Sequence, residues 1–184
     1  NDDQQFSGKI IYNQSYESRN PDIPTDVLTN YMGDQHEYYY SKGNYKSIVN
    51  SFRGIVNLYL VDDEKLYYYP KTQDSISVID LSHEKEKILK YEINKKVVKV
   101  LDRWCDELIL FTDKSTIKYY FDGNLKIKSE LFKNHIYSHW NLYTKLAESL
   151  PLKYVMEFEE FVVIGEATEI KEYEINDDFF ALPK

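Results

Sequence analysis

One cysteine, Cys105, is present in the whole chain, so no intrachain disulfide can staple it, and a lone thiol reads as a small buried hydrophobe before it reads as a nucleophile. Only 6 Gly and 5 Pro occur among 184 residues, which excludes a linker-like or disordered composition. No apolar run is long enough to cross a bilayer as a helix, so the chain is not expected to span a membrane. Basic residues are the minority, 23 Lys and Arg against 31 Asp and Glu for a net charge of −8. They are scattered among acids, whereas phosphate recognition needs them clustered, so no nucleic-acid partner is expected. Adhesion to an anionic membrane is disfavoured for the same reason.

Chemistry-bearing motifs are also missing. There is no G-x-S-x-G, no phosphate-binding glycine loop and no calcium loop. Of His36, His83, His135 and His139, only the last two have a helical spacing, and the acid of a zincin motif is lacking. They read as surface or cap histidines. No metal and no cofactor is expected. Asp62-Asp63 and Asp177-Asp178 read as solvated turns rather than calcium ligands. The carboxylates of "EFEEF" (157–161) read as an exposed strand rather than a glycosidase pair. An enzyme of unrecognised type ranks last among the readings.

What the chain has is tyrosine: 18 Tyr, with 9 Phe, and aromatics at 16% of residues. Planar rings pack well on a pleated, half-buried surface, and the dominant periodicity is two. In "FSGKIIYNQSY", Phe6, Gly8, Ile10, Tyr12 and Tyr16 share one face. "EYYYSKGNYKSIV" predicts a hairpin turning near Lys42-Gly43-Asn44, and "GIVNLYLVDDEKLYYYP" another at Asp62-Asp63-Glu64. "STIKYYFDGNLKIKSEL" is the clearest hairpin signal, with Gly123 in its turn. Further strands are expected at 75–81, 94–102 and 105–112, and a final pair over 154–175 turning near Gly165. Helices are few. "PTDVLTNYMG" predicts a short one with Thr25 as cap and Gly33 as stop. "SHWNLYTKLAESLP" predicts a better one, capped by Ser138 and ended by Pro151, with Trp140, Tyr143, Leu146, Ala147 and Leu150 on one stripe. Residues 82–91 suggest a short charged helix.

These elements predict a mainly β domain with some helix. Its core is a strongly curved antiparallel sheet of about ten strands, an incomplete barrel, with one or two helices packed on the concave face. A single domain over 1–184 is expected, with 1–5 as a polar tether; a start without Met suits a processed product whose signal segment was removed. Each tyrosine run divides between the two faces of a sheet. Either the rings are core and skin, or they line a cavity or groove for an apolar or sugar ligand. On the second reading the candidate ligand-binding residues are Tyr12, Tyr38, Tyr40, Tyr67, Tyr69, Tyr119, Trp104, Trp140 and Tyr143.

Several segments in order carry a resemblance: "FSGKIIY", "YYYSKGNYK", "VLDRWCDELILFTD", "ESLPLKYVMEF" and the closing "EINDDFFALPK". Together they resemble secreted domains of unknown function in Bacteroidetes, of the GLPGLI and DUF4412 types, and more distantly the LolA/LolB lipoprotein carriers. "ESLPLKY" lacks the glycines of the GLPGLI signature. The resemblance implies a periplasmic or secreted envelope protein whose incomplete barrel is plugged by helices. It also implies an amphipathic ligand, a lipid or a lipoprotein acyl chain, on the concave face, and another envelope protein as a possible partner. The alternative is a surface carbohydrate- or protein-binding module that uses exposed tyrosines.

Overall fold

The computed structural model describes residues 4–183. The chain runs β1 (Gly8–Ser18), α1 (Thr25–Met32), β2 (Gln35–Ser41), β3 (Asn44–Val49), β4 (Ile55–Leu60), β5 (Lys65–Pro70) and β6 (Ser77–Ile79). It continues β7 (Ile88–Val100), β8 (Arg103–Thr112), β9 (Thr116–Phe121), α2 (Trp140–Ala147), β10 (Lys153–Glu157) and β11 (Phe161–Glu172). All eleven strands form one antiparallel sheet, curved and not closed, in the order β6-β5-β4-β3-β2-β1-β11-β10-β9-β8-β7. Two meanders are therefore joined by the first and last strands, paired from Gly8–Glu172 to Ser18–Phe161. Among the described residues no helix is long and apolar enough to cross a membrane.

Both faces of the sheet are covered over part of their area, which is why the tyrosine runs feed two cores. The concave face carries Ile10, Tyr12, Tyr40, Leu108 and Leu110, packed under a plug formed by residues 122–152. The plug presents Leu125, Phe132, Tyr143, Leu150 and Leu152, all fully enclosed. The convex face of β2–β5 is crossed by the C-terminal segment, where Ile175 and Phe180 bury Val56, Leu58 and Tyr69.

Several local expectations hold. The β2–β3 hairpin pairs Ser41 with Asn44 across Lys42-Gly43, both at positive φ, the mirror-image turn that matches strand twist. α1 ends at Gly33, although Pro24 rather than Thr25 occupies its cap position. Others are corrected. The segment after Asp122-Gly123 does not form a hairpin with β9, because β8 and β10 occupy both edges of that strand. It turns inward instead and buries Leu125 and Ile127. Residues 82–87 are irregular and 88–91 open β7, so no charged helix forms. α2 is not capped by Ser138, which precedes it at positive φ together with His139, and it ends at Glu148 in a left-handed conformation. Asn1–Asp3 of the expected tether lie outside the described residues. Gln5 is held, its side-chain oxygen accepting from the Tyr40 hydroxyl at 2.7 Å.

Gly165 is not a turn. It lies inside β11 opposite Tyr154, and a Cβ there would sit 2.0 Å from the Tyr154 ring. That ring is buried and hydrogen-bonded, so it cannot simply swing away. Gly165→Ala is expected to destabilise the fold by about 1–3 kcal/mol, the usual range for overpacking. Urea unfolding of the variant reads it directly; a loss within 0.5 kcal/mol, roughly the scatter of neutral surface changes, would show that the ring has room to move.

Candidate functional site: an aromatic basin and a rim cleft

The concave face brings together Tyr12, Tyr38, Tyr40, Tyr119, Trp140 and Tyr143, six of the nine sequence candidates. Trp140 stacks on Tyr143 with centroids 4.9 Å apart, and Tyr119 lies 4.3 Å from Tyr143. Other rings outside the nine candidates join the basin, Tyr45, Tyr59 and Phe132 among them. Tyr45 stacks between Tyr38 and Tyr59 at 5.4 and 5.3 Å, and Phe132 covers Tyr59 from the plug at 5.6 Å.

At four of the basin tyrosines the hydroxyl has a buried partner, whereas the Tyr38 hydroxyl is buried without one. Tyr12 donates to the Pro151 carbonyl at 2.5 Å and Tyr59 to the Leu131 carbonyl at 3.1 Å. Tyr45 meets His135 Nε2 at 2.7 Å. Each of these bonds ties the sheet to the plug. Tyr143, inside the plug, donates to the Ser149 carbonyl at 2.7 Å and closes the turn after α2. A buried polar group without such a partner would cost about 1–3 kcal/mol, so the hydroxyls specify where the plug seats.

A second polar chain flanks the basin. The Tyr154 hydroxyl donates to Gln14 Oε1 at 2.5 Å, so its oxygen is left to accept from His36 Nδ1–H at 3.1 Å. His36 Nε2 then accepts from the Ser47 hydroxyl at 3.0 Å. Gln14 Nε2 donates onward to Tyr16, whose hydroxyl donates to the Gly33 carbonyl. Burial holds both His36 and His135 neutral, each pushed down to about 4. His135 is thus a core residue rather than a surface one, and His139 is buried too. Desolvation, seconded by the Asp122 charge, pushes the Cys105 thiol up to about 11, so this enclosed thiol is not a nucleophile at neutral pH.

Three candidates lie elsewhere. Leu66 faces the basin from β5, opposite Tyr59, so the period of two sends Tyr67 and Tyr69 to the convex face. There they pack under the C-terminal segment with Leu58 and Phe180. Trp104 is 53% exposed near the β7–β8 turn, with the Lys99 ammonium 5.4 Å from its ring. None of these three joins the basin.

The basin is filled by the chain itself, and the open depressions lie at the surface. One of about 630 Å³ sits at the rim of the sheet, where the concave face runs past the plug. Its walls are two tight turns. Gly54 N–H donates to the Ser51 carbonyl, Lys71 N–H to Gly54, and Gln73 N–H to Pro70. Phe52 and Tyr68 line it at 83% and 39% exposure. Between them lie Arg53, Thr72, Asp74 and Ser75, with Asn57 next to Tyr68 across the β4–β5 ladder. Tyr68 lies on the strand face opposite Tyr67 and Tyr69 and is not among the nine candidates. Phe52 stands alone in a loop, and no periodicity marks it.

No family model matches the chain, and no curated protein matches it. Solved structures do. One crystal form of PNGF-II aligns over 94% of this chain with a TM-score of 0.54 at 16% identity. A second crystal form of PNGF-II aligns over 94% at 14% identity, with a TM-score of 0.47. The aligned region is 29% of the PNGF-II chain in both cases, so this chain spans under a third of that protein's length. At such identity the likeness is one of fold alone.

Proposed function

We propose that this chain is a non-enzymatic binding module of the cell envelope or the secreted fraction, and that it takes a saccharide in the rim cleft. The observation that carries this reading is the composition of that cleft. Two exposed rings flank a group of polar side chains that have no partner of their own among the described residues. A sugar ring has an apolar C–H face and a hydroxyl edge. The first lies against Phe52 or Tyr68, and the second meets Arg53, Asp74, Thr72 and Ser75. The hydrogen-bonded turns form the walls in advance of binding, which lowers the ordering entropy that binding costs. An acyl chain would leave those polar groups facing hydrocarbon, at about 1–3 kcal/mol for each one stripped of water. Beneath α2, where the resemblance places such a ligand, the space is occupied by Tyr143, Phe132 and Leu150.

A glycan array followed by isothermal titration tests the reading. Tyr68→Ala and Phe52→Ala are each expected to weaken binding at least tenfold, about 1.4 kcal/mol, with an unchanged unfolding midpoint. Binding that survives both substitutions would place the ligand elsewhere, and a blank array would remove the saccharide.

A further inference from the structure

The two ends of the sheet are unlike. β6 closes one end with three residues, whereas β7 ends the other with thirteen and pairs on one side only, with β8. Its ladder to β8 breaks at Ile88/Lys90 and again at Asn94/Val98. The run Lys90–Asn94 between the breaks is regular, roughly 17 Å of open edge. Tyr91 and Ile93 stand exposed on this run, and Leu89 and Val97 stand exposed at the two breaks that flank it. Edge strands that are merely guarded against association are short, bulged or charged; this one has the bulges and charges but keeps the apolar row.

Its charge is opposite to that of the molecule. Residues 87–103 hold five Lys and Arg103 against Glu92 and Asp102, a net of +4 in a chain of net −8. Lys90 pairs with Glu92, Lys95 with Asp106 and Arg103 with Asp122. Lys87, Lys96 and Lys99 have no carboxylate within ion-pair distance among the described residues, and Lys99 lies over the exposed Trp104. We propose that β7 is a docking edge for an extended acidic polypeptide segment, which adds as a twelfth strand with apolar side chains on the Tyr91–Ile93 row and carboxylates on the lysines. Main-chain bonds then supply affinity and the alternating side chains supply selectivity. A second copy of β7 is disfavoured as the occupant, because the two edges would bring like charges together.

The probe is a fluorescein-labelled eight-residue peptide of alternating Glu and Val, with a Lys/Val peptide of the same length as control. Fluorescence anisotropy at low salt is expected to show saturable binding of the acidic peptide alone. The triple variant Lys87→Glu, Lys96→Glu, Lys99→Glu changes only exposed side chains and is expected to weaken it at least tenfold. Hydrogen exchange at amides 90–94 is expected to slow in the complex. Equal binding of the Lys/Val peptide, indifference to the triple variant, or protection appearing at another edge would each overturn the proposal. So would concentration-dependent dimerisation of the protein that masks the same amides.

Discussion

Tyr143→Ala is expected to destabilise the protein by about 3–5 kcal/mol, the range for removing a large buried ring from a core that cannot collapse. Tyr143 is fully enclosed and sits between Trp140, Tyr119 and Phe121, at 4.9, 4.3 and 6.3 Å between centroids. Its hydroxyl also holds the Ser149 carbonyl. Tyr143→Phe separates the two contributions: the ring stays, the carbonyl loses its donor, and about 1–2 kcal/mol is expected. Urea denaturation of the three proteins gives both differences from their midpoints. The comparison bears on function as well as on stability. A basin that normally admitted a ligand would tolerate the missing ring, and the alanine variant would lose little. Small losses accompanied by uptake of an added fatty acid would show that the plug is a lid.

Acidification is expected to weaken the fold well above the pH at which its carboxylates protonate. His36 and His135 titrate near 6.5 in the unfolded chain but near 4 in the folded one. Between those values the unfolded state binds more protons, so stability is complete above about pH 6.5 and falls as pH drops towards 4. Each ring contributes on the order of 2–3 kcal/mol across that interval. The physical cause is the same at both sites. The His36 ring is enclosed by Tyr12, Tyr38 and Tyr154, and His135 lies under Tyr45 and Tyr59. Among the described residues no carboxylate ion-pairs with either imidazole. Glu157 and Asp106, whose lysine partners hold their carboxyls below the ordinary range, lose their contribution only further down. Unfolding midpoints at pH 7.5, 6.0 and 4.5 should therefore decline stepwise, and His135→Asn should flatten the decline. A midpoint constant from 7.5 to 4.5 would mean that both rings protonate without opening the core.

How far the residues alone could lead depends on the range of the signal. Alternation over 6–16 and the Lys42-Gly43 turn are local, and both led to the right strands. The turn at Asp122-Gly123 is equally local and does form, with Asp122 Oδ1 accepting from Asn124 N–H at 3.0 Å. The course of the chain beyond Asn124 is decided by β10, which arrives from far along the sequence and takes the edge of β9. The β7–β8 turn gives only a weak signal, since Leu101 and Asp102 both adopt positive φ and of the two only Asp102 is a residue that tolerates it. Glycine is ambiguous for the opposite reason: Gly165 carries the mark of a turn and serves as the seat of a tyrosine ring. Face assignment failed at Tyr67 and Tyr69 because the C-terminal segment buries the convex side, and two buried faces erase the sign of the alternation. The basin was legible as aromatic residues of period two. The rim cleft was not, since it forms where two loops meet.

On the reading proposed above, the tyrosine-rich concave face is core and the saccharide sits at the rim. Amide chemical-shift mapping by NMR, with the best glycan from the array and separately with a short-chain phospholipid, tests it most directly. Shifts confined to residues 51–57 and 68–75 are expected with the glycan, and none with the lipid. Shifts centred on Tyr119, Trp140 and Tyr143 with the lipid would contradict it, and would make the plug a gate over a ligand-binding barrel.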